Sequence, residues 1–169
     1  MWNDTDTPLA YLITFRCYGT WLHGDERGSV DRSHNRFGSP YMPSDERRRQ
    51  RVAQALKSEP LLLDAPRRES VEAAVRETCE LRGWRLRAIN VRTNHVHMVV
   101  SIGATLPGRA LNAFKANATR RLRQSGQWSQ RHSPWVDKGS RRFLWNEQSI
   151  ERAVEYVNNG QGDDLPEFV

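Results

Sequence analysis

The chain has 169 residues, with 26 Lys and Arg against 20 Asp and Glu, so it can bury a real core and carries a net charge of +6 that favours a polyanionic partner. Its two cysteines, Cys17 and Cys79, show no C-x-x-C spacing and no adjacent histidine cluster, which excludes a zinc knuckle and a disulfide framework and leaves two free thiols. No apolar run is long enough to cross a bilayer, and the first residues are polar and acidic. The expectation is therefore one domain over 1–169, cytoplasmic and away from membranes.

Ala10 to Tyr18 is rich in β-branched and aromatic residues and reads as a first strand, with Tyr11, Ile13, Phe15 and Cys17 on one face. Residues 19–65 read as an insertion. Its first part, Gly19 to Pro43, has glycines, prolines and scattered charge without period, and holds His23 and His34, which are either solvated or ligands. Ser44 then caps a basic helix running to Lys57, whose arginines either track phosphates or form a solvated face. A second helix from Pro66 to Leu81 puts Val71, Ala74, Val75 and Thr78 on one side and stops at Gly83. Trp84 to Arg92 is the next strand, and Thr93-Asn94 makes a tight connection into the following one.

That following stretch, Asn94-His95-Val96-His97-Met98-Val99-Val100, is chemically the most unusual in the chain. As a strand it sends Val96, Met98, Val100 and Ile102 to one face, the core, and His95 and His97 to the other, about 7 Å apart at Cα. Two such imidazoles can converge on one divalent ion or one phosphate, or can simply be surface histidines on a half-exposed strand. Both readings stay open on the spacing alone.

Leu106 to Gln124 is an amphipathic helix, with Leu111, Phe114, Ala118 and Leu122 inward and Lys115, Thr119, Arg120 and Arg123 outward. From Ile102 through Val136 the chain has no acidic residue, a one-signed surface. Trp128 and Trp135 lie in the next loop, where they either stack on unpaired bases or plug the edge of the core. Arg141 to Asn146 is the last strand, and Ser149 caps a final helix from Ile150 to about Asn159. Ile150, Ala153, Val154 and Val157 form its apolar stripe, and Tyr156 falls roughly 120° from the stripe's centre, on a flank. A phenol with an unperturbed pKa of about 10 needs a neighbouring cation or base to act as a nucleophile; otherwise Tyr156 is an ordinary rim tyrosine.

Without the insertion the element order is βαββαβ plus a C-terminal helix. This predicts an α+β, ferredoxin-like or RRM-like antiparallel sheet with helices on one face and the histidines on the other, open face.

His95-Val96-His97, followed about sixty residues later by a helical tyrosine in Val154-Glu155-Tyr156-Val157-Asn158-Asn159, resembles the single-tyrosine HUH transposases. These include the REP-associated tyrosine transposases. The resemblance runs from the Tyr11-Leu12-Ile13-Thr14-Phe15 strand to the C-terminal helix. It implies a magnesium or manganese ion held by His95, His97 and a third polar side chain from the tyrosine helix. It also implies attack of Tyr156 on a phosphodiester of single-stranded or hairpin DNA, giving a 5′-phosphotyrosine link and a free 3′-hydroxyl. The family's usual third donor, a Gln or Asn four residues after the tyrosine, is Gly160 here, with Asn159 one residue before it and Gln161 one after; Gln161 is the candidate, since a local distortion at Gly160 can turn it inward. Lys115, Arg120, Arg121 and Arg123 would then hold backbone phosphates in a monomer or a homodimer. Two other classes compete: a non-catalytic module gripping single-stranded DNA or RNA, and a metal phosphoesterase that uses activated water without a covalent intermediate.

Overall fold

The computed structural model describes residues 6–19, 46–47, 50–51 and 58–160. Strand β1 (Ala10–Arg16) is followed by helix α1 (Ala65–Arg82), β2 (Arg85–Val91), β3 (His95–Ser101), α2 (Pro107–Gln124), β4 (Ser140–Leu144) and α3 (Glu147–Asn159). The four strands form one sheet in the order β2-β3-β1-β4, with every neighbouring pair antiparallel. This is the expected α+β, ferredoxin-like βαββαβ arrangement. Of the helix expected from Ser44, Glu46, Arg47, Gln50 and Arg51 are helical, and the remainder lies outside the described residues.

The alternation of side chains along β1 and β3 gives the sheet two unlike faces. On one, Ile13, Phe15, Val96, Met98 and Val100 are fully buried against α1 and α2, through Val71, Val75, Phe114 and Leu122. Each such side chain removed from water is worth about 1.5–3 kcal/mol, so this layer carries most of the stability. Asp64 caps α1 by accepting from the Arg67 N–H, and Gly83 ends it in the left-handed conformation (φ 68°), where a β-carbon would be strained. The chain leading into α1 also reaches this core: Leu61 and Leu63 are buried, and their amides bond to the carbonyls of Tyr18 and Thr93. Cys17 and Cys79 are buried thiols.

The other face carries Leu12, Thr14 and Arg16 from β1, His95, His97 and Val99 from β3, and Ser140, Arg142 and Leu144 from β4. It is not open. Helix α3 lies across it, and Ile150, Ala153, Tyr156 and Val157 make a second, smaller core with Ala10, Leu12, Ala88, Val99 and Leu144. Helix α3 is held there because the upper half of this sheet face is apolar and needs a cover. Among the described residues no helix is long and apolar enough to cross a membrane.

Candidate active site

Strand β3 is central in the sheet, hydrogen-bonded to β1 on one side and β2 on the other, so its side chains are fixed by two ladders. His97 stands opposite Thr14, and the Thr14 Oγ1 to His97 Nδ1 distance is 2.7 Å. His95, half-buried two residues earlier, has Nδ1 2.5 Å from Oδ1 of Asn94. The two imidazoles meet edge to face, with ring centroids 4.3 Å apart. In the tautomer with the proton on Nδ1, each ring donates to its oxygen partner and keeps the Nε2 lone pair for a cation, the orienting device common to histidine ligands.

Helix α3 brings the third group. Asn146 starts it, its Oδ1 accepting from the Ser149 N–H at 2.8 Å, and Glu147 in the first turn complements the helix dipole. The cap is thus Asn146, three residues ahead of the expected Ser149, because the asparagine oxygen reaches back over the first turn. On the far side of the helix the backbone carbonyl of Val157 accepts from Asn90 Nδ2 of β2 at 3.1 Å. Tyr156 is only 6% exposed. Helical spacing with Val154 in the stripe puts Tyr156 on the flank. In the structure the buried arc runs through Ile150, Ala153, Tyr156 and Val157, and Val154 takes the margin. The Tyr156 hydroxyl therefore lies 3.4 Å from His97 Nε2, with the rings 5.2 Å apart.

Gly160 closes the helix by donating its N–H to the Tyr156 carbonyl at 2.9 Å. A β-carbon at Gly160 would come within 2.9 Å of Tyr156 Cδ2, so a side chain there would displace the ring.

Burial, the adjacent His95 and the guanidinium groups of Arg16 and Arg92 hold the His97 pKa well below the ordinary histidine value, so the ring is neutral at physiological pH. The same face holds the buried Arg142 and Ser140 of β4. The site thus combines the neutral His97 imidazole, beside His95, with nearby guanidinium charge. That suits a phosphodiester better than a bare cation, and a cation accompanied by phosphate best of all.

Among the described residues no group of three or more His, Cys, Asp or Glu side chains is placed to hold a metal ion. Gln161, His23 and His34 lie outside the described residues. His95, His97 and Tyr156 are brought together. The four basic residues of α2 are not brought to them, since α2 packs on the opposite face of the sheet. Lys115 turns inward, donating to the carbonyls of Val136 and Lys138, and burial pushes its pKa down to about 8 against a weaker pull upward from Asp137. Arg120 and Arg121 both bond Glu77, and Arg123 bonds the carbonyls of Gln130, Arg131 and His132. Trp128 and Trp135 are 8% and 3% exposed and plug the core edge, so neither is presented to bases. Thr14, Arg16, Arg92 and Arg142 escape sequence reasoning. The signal available was the polar alternation Thr14–Arg16 along an otherwise apolar strand, which becomes chemical only once the register with β3 is known.

The sequence model of the IS200-like transposases matches residues 50–159 of this chain. No curated protein matches it. Among solved structures, a candidate transposase from Deinococcus radiodurans R1 is 12% identical and superposes with a TM-score of 0.52 over 98% of each chain. A REP-associated tyrosine transposase bound to a REP hairpin is 10% identical, with a TM-score of 0.52 over 93% of this chain and 69% of that one. At such identities the two structures establish a shared fold.

Proposed function

The chain belongs to the IS200-like transposase family, and from this footing we propose that it cleaves and rejoins single-stranded DNA at hairpins, with Tyr156 as the nucleophile. The observation that carries the proposal is the approach of the Tyr156 hydroxyl to within 3.4 Å of His97 Nε2, across 59 residues of sequence and inside a buried face.

In the proposed reaction Tyr156 Oη forms a bond to phosphorus while the bond to the 3′-oxygen breaks. The products are a 5′-phosphotyrosine and a 3′-hydroxyl that takes up a proton. Attack by a 3′-hydroxyl on the phosphotyrosine reverses the sequence and rejoins a strand without consuming a nucleotide. His95 and His97 are the proposed donors for a divalent ion, magnesium or manganese. Gln161 is the proposed third donor, on the sequence alone. Such an ion, when bound, supplies Lewis acidity to the phosphate and favours the ionised phenol. Asn94 Oδ1 can only accept and so favours the Nδ1-protonated form of His95, Thr14 orients His97, and Arg16 and Arg92 offset the charge of the incoming phosphate. The packing of α3 restrains the phenol, so that little orientational freedom remains to be lost when the phosphate arrives. Lys115, Arg120, Arg121 and Arg123 enter as a proposed contribution to the longer-range positive field that gathers DNA, an effect that fades with salt.

The test mixes labelled single-stranded hairpin DNAs with protein and manganese, and resolves the products under denaturing conditions. Wild type is expected to give a protein–DNA adduct and a cut strand. Tyr156→Phe should give neither, and His97→Ala should cut at least a hundredfold more slowly. Cutting that persists in Tyr156→Phe would mean hydrolysis by water. Tight binding with no adduct, unaffected by either substitution, would mean a binding module.

A further inference from the structure

We infer that the outer face of β4 is a stacking platform for single-stranded nucleic acid, distinct from the histidine face; the inference rests on the DNA-processing role proposed above. Arg141 and Phe143 lie on the α2 side of the sheet, in register with Ile13 and Tyr11, and Trp145 continues the same alternation. Strand β4 is an edge of the sheet. Phe143 is 51% and Trp145 37% exposed, and among the described residues they are the two large aromatic side chains left open to solvent. They are neighbours, with ring centroids 6.0 Å apart, and Phe143 packs edge to face with the buried Tyr11 across the strand pair, at 5.4 Å. A buried aromatic packed against an exposed one restrains it, so the platform is firm at little entropic cost.

The surroundings select the occupant by charge. On this face β4 carries Arg141, and Lys138 stands just ahead of the strand. The guanidinium of Arg141 closes over Gly108, where a β-carbon would sit 2.7 Å from Nη1, and the next residue of α2, Arg109, is exposed. Among the described residues neither Arg109 nor Arg141 forms an ion pair. Cations beside two open aromatic faces are the arrangement that takes bases by stacking and phosphates by charge, with little sequence preference. A purely apolar partner would leave these guanidinium groups desolvated and unpaired. Because the platform shares the chain segment that leads directly into α3, a strand gripped there can continue around the β4 edge toward Tyr156.

The experiment measures binding of a fluorescein-labelled oligothymidylate, which forms no hairpin, to wild type, Trp145→Ala, Phe143→Leu and the double variant. Unfolding midpoints confirm that each variant folds, and Trp145→Phe serves as the conservative control. The expected result is roughly a tenfold loss of affinity for each removed aromatic and near-wild-type binding by Trp145→Phe. Unchanged affinity in the folded double variant overturns the inference. So does a wild-type dimer that becomes monomeric in the double variant while keeping its affinity for DNA, since the face is then a contact between copies. Loss of the tyrosine adduct alone would bear on the cleavage reading and leave the platform standing, and the reverse pattern would separate them the other way.

Discussion

Thr14 is the residue through which the sheet controls His97. Its hydroxyl, 2.7 Å from Nδ1, fixes the ring's orientation and, where it accepts the Nδ1 proton, leaves Nε2 its lone pair, while the ring itself is too buried to take its second partner from water. Thr14→Val keeps the shape and removes the bond, so it should weaken manganese affinity and slow cleavage together by about ten- to hundredfold, with the unfolding midpoint nearly unchanged. Thr14→Ser should restore most of both. A titration of cleavage rate against manganese concentration separates this from a general loss of stability. Of this arrangement the sequence shows the histidines but not the threonine. The H-x-H spacing announces itself within three residues, whereas the partner lies 83 residues away and becomes visible only through strand register.

At the scale of the element, α3 is both a structural cover and the carrier of the nucleophile. Its buried side contains Ile150, Ala153 and Val157 beside Tyr156, so the packing that stabilises the helix also fixes the phenol. Gly160 completes that positioning through its contact with the Tyr156 ring. Gly160→Ala is expected to leave the helix in place but to push the ring off line, lowering the cleavage rate by at least about tenfold with DNA affinity retained. Single-turnover cleavage and binding by anisotropy check the two halves of that statement. The existence and span of α3 are legible in its periodicity. Which margin of its stripe goes inward is not, because Val154 and Tyr156 are alternatives for one flank, and the decision is made by the histidine face that the helix covers.

Across the whole molecule, the sheet divides labour: one face is core under α1 and α2, and the other is a smaller core merging into the site. The apolar periods of β1, β3, α1 and α2 make the first face readable from sequence, since burial there is dense and short-range pattern suffices. The fate of the α2 cations is not readable, because Glu77 meets Arg120 and Arg121 from 43 and 44 residues away. Lys115 offers a thermodynamic check on its placement. Burial lowers its folded pKa to about 8, below the ordinary lysine value of 10.5, so between those values the unfolded chain holds a proton that the folded one has released. The cost of the buried charge is fully present below pH 8 and disappears as pH rises through the window, so this residue makes stability rise there. The difference between wild type and Lys115→Met in urea unfolding, measured from pH 7 to about pH 10.5, should show that rise; a flat difference curve would place the ammonium in water.

The most direct test of the central claim is to locate the phosphorus–oxygen bond. The protein–DNA adduct formed on a hairpin substrate is digested with protease and nuclease, and the nucleotide-bearing peptide is sequenced by mass spectrometry. The account predicts a single modified residue, Tyr156, linked to a 5′-phosphate. A nucleotide on another side chain, or cleavage products with no modified peptide at all, would contradict it.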